Sequence, residues 1–107
     1  MEPGVKEIFQ GMPQRLNQNL AKGLDAVCQF NITGDGGGNW YLVIKEGACQ
    51  VNEGTAQGPK VTLTMGTETW IGMVNKKVNG MQAFMMGKLK VTGDVTLAQR
   101  IPALFSL

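Results

Sequence analysis

The chain has no histidine. That removes the commonest general base, the usual metal ligand and the physiological pH switch together. Its two cysteines, Cys28 and Cys49, stand apart, and neither belongs to a C-x-x-C pair, so no metal site is expected. Charge is sparse: 17% of the 107 residues are charged and the net is +2. No basic run exceeds Lys76-Lys77, and aromatic side chains do not interleave with basic ones. Neither a phosphate-tracking stripe nor a base-stacking platform is present, so nucleic acid is not an expected partner. No window approaches ~18 continuous apolar residues, the length a membrane span needs. The opening MEPGVKEIF lacks the basic segment and apolar run of a secretory leader. The final Phe105-Ser106-Leu107 is not the Ser-Lys-Leu peroxisomal address. A cytoplasmic protein with reduced thiols is expected.

Acid–base chemistry is also missing. Asp25, Asp35, Glu46 and Glu53 fall in turns, and Glu68 and Asp94 at helix starts, so no two carboxylates share an inward face. Cys28 and Cys49 fall on apolar strand faces, where a thiol acts as a small hydrophobe. No catalytic residue, metal or cofactor is expected. An enzyme would need one of these thiols to be exposed and reactive.

What is present is apolar: 43% of residues, enough for one domain over 1–107. Val5, Ile8, Phe9, Met12, Leu16 and Leu20 recur at helical spacing, interrupted by Pro13. Either a kinked helix or two short helices with Pro13 opening the second fits. Gly23 then suits a left-handed cap. Alternation predicts strands over 26–33, 40–45, 48–52, 61–65 and 88–92. The Gly-rich GDGGGN (34–39) lies between two strands, so it reads as a turn and not as a phosphate loop. Short connections between the first four strands predict an antiparallel meander.

From Thr67 the period changes to helical. Thr67 is the expected cap of a helix striped by Trp70, Ile71, Val74 and Val78. Asn79-Gly80 breaks it, and a short helix runs to Met86. Asp94 caps a last helix striped by Leu97, Ala98, Ile101, Leu104 and Phe105, which Pro102 is expected to kink or end. Five of the seven methionines lie between Met65 and Met86. Methionine is flexible and polarizable and repacks around varied apolar shapes. The short helix with Met81, Phe84, Met85 and Met86 is apolar nearly all round, so one sheet cannot bury it. Another helix, a lipid, a membrane or a second subunit must cover the remainder.

GDGGGNWYLVIKEG, VTLTMGTETWIGMVNKKVNGMQAFMMGKLKVTGD and LAQRI resemble the sterol carrier protein type 2 family. The resemblance runs from about Phe9 to Phe105. It implies an α+β fold: a five-stranded mixed, mainly antiparallel sheet with helices on one face, enclosing a hydrophobic tunnel. It also implies a non-catalytic function, binding and intracellular transfer of fatty acids, fatty acyl-CoA, phospholipid or sterol-like lipids. Carried over by position, the tunnel wall is Met65, Trp70, Val74, Met81, Phe84, Met85, Leu97, Ile101, Leu104 and Phe105. Lys76, Lys77, Lys88 and Arg100 are the candidates for a lipid headgroup. The two helices before Lys88 make a crossover long enough for the last strand to lie parallel to a neighbour. A stand-alone bacterial-type member is expected, a monomer or weak homodimer touching membranes transiently. A structural or protein-interaction module, docking the same apolar face on a partner or second copy, stays open beside the lipid carrier.

Overall fold

The computed structural model describes residues 4–107. Met1, Glu2 and Pro3, which begin the segment read for a leader, lie outside them. Alternating sequence forms β1 (Ala26–Thr33), β2 (Gly38–Lys45), β3 (Ala48–Glu53), β4 (Val61–Gly66) and β5 (Leu89–Gly93). Period two selects the inward face: Cys28, Phe30, Ile32, Trp40, Leu42, Ile44, Val61, Leu63 and Met65 are all buried. Glu46 and Gly47 both have positive φ, 53° and 75°, the backbone that a two-residue hairpin turn needs.

The sheet order is β3-β2-β1-β4-β5, so it is not the meander that the short connections suggest. β4 leaves β3 and lies parallel to β1, with Phe30 opposite Leu63. To reach it, the chain after β3 crosses the outer face of the sheet. Gln29, which faces that side and is 1% exposed, fastens the crossing. Its amide nitrogen donates to the Gly54 carbonyl at 3.1 Å, and the Ala56 N–H donates to its oxygen at 2.8 Å. A buried amide is tolerated only when so satisfied. β5 pairs antiparallel with β4, not parallel to a neighbour. The reason is geometric: Met65 lies opposite Leu89, so the helical connection starts and ends at the same end of β4.

The helices are α1 (Val5–Gln10), α2 (Met12–Arg15), α3 (Thr67–Val74), α4 (Gly80–Met85) and α5 (Val95–Leu104). Gly11 separates the first two and Pro13 sits in the first turn of the second, where its missing N–H is harmless. The helical stripe stops there. Asn17 accepts from the Asn19 and Leu20 N–H groups and turns the chain, leaving Leu20 exposed. Gly23, at φ 77°, therefore closes a turn and not a helix. Gly66, not Thr67, is the cap of α3; the Thr67 hydroxyl donates to the Thr33 and Asp35 carbonyls, both at 3.0 Å. Asp94 caps α5 through the Leu97 N–H. Pro102 does not end α5, which continues to Leu104, because a proline two residues from the end removes one bond of a turn that is already closing.

Candidate functional site

The inner face of the sheet is covered in two unlike halves. Over β1 and β2, aromatic side chains fill the space. The Phe9 ring stacks on Trp70 at 4.8 Å and 12°, and on Trp40 at 5.4 Å and 11°. Phe30 closes the group, edge-on to Phe9 at 5.5 Å. α1 brings Phe9 and α3 brings Trp70, so the aromatic packing ties the two helices to the sheet. The Trp70 indole N–H is buried here without a partner.

Over β4 and β5, no stack of aromatic rings fills the space between sheet and helices. A cavity of about 830 Å³ remains. Leu63, Leu89 and Val91 form its floor, on the inward period of the two strands. Val95, Ala98, Ile101 and Pro102 of α5 form one wall, and Met81, Phe84 and Met85 of α4 form the other. Met73, Val78 and Leu107 close it in part. Polar groups are confined to Lys76, Lys77, Asn79, Gln82 and Gln99. Among the described residues, lysine is the only type with a charged side chain in the lining.

The turn from α3 to α4 places those lysines. It folds back so closely that a Cβ on Gly72 would meet Val78 at 2.5 Å. The Lys77 and Val78 N–H groups both donate to the Gly72 carbonyl, at 2.8 and 3.1 Å. Lys76 takes a left-handed backbone, φ 62°, which a non-glycine residue adopts only under constraint. Asn79 then starts α4 by accepting from the Met81 and Gln82 N–H groups. Ala83 is the one residue of α4 that is buried.

The residues carried over as a tunnel wall divide between the two halves. Met81, Phe84, Met85 and Ile101 line the cavity. Met65, Trp70, Val74, Leu97, Leu104 and Phe105 do not: they are buried in the core. For Trp70 the cause is Phe9, which occupies the space a ligand would need. On α5 the cause is the helical period, which turns Leu97 and Leu104 to the core while Val95, Ala98 and Pro102 face the cavity. Among the cations, Lys76 and Lys77 line it, and Lys88 and Arg100 do not. Arg100 instead donates to the Leu20 carbonyl at 3.0 Å. Among the lining residues not anticipated, Leu63, Leu89, Val91 and Ala98 carried a usable signal, an inward strand or helix-stripe position, whereas Val95 and Pro102 lie off the stripe of α5 and carried none.

Neither thiol faces this cavity. Burial, with Cys49 adding and Lys60 opposing, pushes the Cys28 thiol from 9.0 up to about 12. Burial pushes Cys49 up to about 11. Both are protonated at neutral pH and poor nucleophiles. Among the described residues no group of three metal-ligating side chains gathers, and no helix is long and apolar enough to cross a membrane.

Residues 5–106 match the family model described as the SCP-2 sterol transfer family. Over 103 residues the chain is 32% identical to hydroxysteroid dehydrogenase-like protein 2 of Rattus norvegicus, covering 95% of this chain and 20% of that protein. The chain thus spans about a fifth of that relative's length. Sterol carrier protein 2 of Yarrowia lipolytica, in its apo form, superposes with a TM-score of 0.76 at 28% identity, over 92% of this chain and 86% of that one. Palmitated SCP2L2 of Aedes aegypti superposes at 0.79 and 26% identity, over 96% and 95% of the two chains. The open five-stranded mixed sheet with its helices is the architecture of these carrier structures. With nearly its whole length matched in sequence and in fold, the chain belongs to the SCP-2 sterol transfer family.

Proposed function

We propose that the chain acts as one non-catalytic lipid-binding domain. It holds an acyl lipid, a fatty acid or fatty acyl-CoA, in the cavity between α4 and α5 and exchanges it with membranes. The observation that carries this reading is the cavity: about 830 Å³, apolar on floor and both walls, with Lys76 and Lys77 as the only charged side chains in its lining among the described residues. That volume is within the ~300–1,000 Å³ of small-molecule sites. The acyl chain lies along Leu63, Leu89, Val91, Ala98, Met81 and Met85, and its carboxylate or phosphate meets the lysines. Lys88 and Arg100 have no part in this headgroup contact.

Burying the chain yields about 0.8 kcal/mol per methylene. A bilayer supplies a similar term, so uptake is close to balanced and exchange is governed by access and the head. The palmitated state of the Aedes aegypti relative supports a fatty acid as ligand. A fluorescent fatty acid is expected to bind one-to-one and to be displaced by palmitate; absence of displacement by any acyl lipid would sink the reading. The exposed apolar side of α4 favours one competing reading, a protein-docking module. An obligate dimer from which no lipid can be extracted would support that instead.

A further inference from the structure

α4 is held to the molecule by one buried side chain, Ala83, and shows apolar groups to solvent. Met81 is 63% exposed, Phe84 50%, Met85 78% and Met86 67%. Val95, on the opposite cavity wall, is 49% exposed. Four exposed large apolar side chains within six residues, Met81 to Met86, mark an interaction site. A cavity ligand covers the inner aspects of Met81, Phe84 and Met85, but Met86 does not line the cavity, so ligand alone leaves the patch open.

Charge says what covers it. Between Glu68 and Asp94 the chain carries Lys76, Lys77, Lys88 and Lys90 and no carboxylate. Lys90 alternates with the cavity-lining Leu89 and Val91 and so points to the other sheet face. Lys76 and Lys77 precede α4 and Lys88 follows it, which leaves three cations bordering the apolar helix. A two-fold dimer through this patch would set these lysines against their own copies. An anionic bilayer satisfies both components, since apolar side chains enter the acyl boundary while lysines meet lipid phosphates.

We propose that α4 with Met86, bordered by Lys76, Lys77 and Lys88, docks on anionic membrane and sets the cavity opening against the bilayer. The docking itself needs no bound ligand; only its consequence for lipid exchange rests on the function proposed above. The test is sedimentation of the intact chain with vesicles of phosphatidylcholine, with and without phosphatidylglycerol. Binding to the anionic vesicles, at least tenfold weaker to neutral ones and reversed by salt, is expected. Met86→Gln and Lys88→Glu should each weaken it severalfold. Lys45→Glu, with the same change in net charge but on β2 away from the patch, should not. Equal binding to both vesicles, no effect of Met86→Gln, or Lys45→Glu matching Lys88→Glu would overturn the proposal. So would a concentration-dependent dimer lost in Met86→Gln, without vesicle binding. Palmitate displacement measured on the same variants without vesicles separates the cases: retained displacement with no vesicle binding refutes the docking and leaves the ligand site intact.

Discussion

Replacing Ala98 by phenylalanine places a ring in the cavity with little disturbance of the core. Ala98 is half-buried on the cavity side of α5, one turn from both Val95 and Pro102. The added ring enters open volume, so overpacking is avoided; the helix-propensity loss is at most about 0.7 kcal/mol. Fold stability should therefore change by less than about 1 kcal/mol. Ligand binding should change far more. If the ring takes the place of about four ligand methylenes, at about 0.8 kcal/mol each, the loss is about 3 kcal/mol, or about a hundredfold in Kd. Ala83→Phe is the contrast: Ala83 is 2% exposed and has no such space, so overpacking should cost about 1–3 kcal/mol of stability. Urea denaturation and displacement of a fluorescent fatty acid by palmitate measure the two effects. A folded Ala98→Phe protein with unchanged palmitate affinity would refute the assignment of the cavity as the binding site.

Trp70→Ala should destabilise by about 3–5 kcal/mol, since it empties the centre of the aromatic stack, whereas Phe84→Ala, at a half-exposed site, should cost under about 1 kcal/mol; thermal and urea unfolding compare them. Stability should fall on the alkaline side. The thiols ionise at higher pH folded than unfolded, so their contribution is whole below pH 9 and is lost as pH rises towards about 11 and about 12; Cys28→Ala should flatten the decline in Tm. Lys76→Gly should leave Tm unchanged or slightly raised, because release of a left-handed backbone, about 1–2 kcal/mol, offsets the added chain entropy. The same variant should bind palmitate less tightly but hexadecanol as before, which a displacement titration with both ligands reads.

The elements were largely legible because their signals are local. The alternation over 26–33 gave β1 with its bounds, Asn79-Gly80 marked the break between α3 and α4, and Asp94 marked the start of α5 by its cap. The antiparallel pairing of β1 with β2 and of β2 with β3 was legible from the short turns, but the neighbour of β4 and the direction of β5 were not. β4 lies beside β1 because the β3–β4 connection is pinned to Gln29, a contact between residues far apart in sequence whose polar side chain alternation alone assigns to solvent. Pro102 illustrates a local rule overridden by position, since the same proline a turn earlier would have broken α5. In the site, α4 stood out because an all-round apolar segment has no single inward face. Periodicity identified which side chains point inward, but not whether an aromatic ring or open space waits there. Trp70 and Met73, three residues apart on α3, look alike in the pattern. Phe9, from the other end of the chain, fills the space beside one and leaves the other facing the cavity.

The methionines report directly on where a ligand sits. Met73, Met81 and Met85 line the cavity, Met12 and Met65 are buried outside it, and Met86 is exposed beyond it. With methyl-labelled methionine, one equivalent of palmitate is expected to shift the first three resonances and leave Met12 and Met65 in place. Shifts confined to Met12 and Met65, or none at saturating palmitate, would contradict a lipid site between α4 and α5.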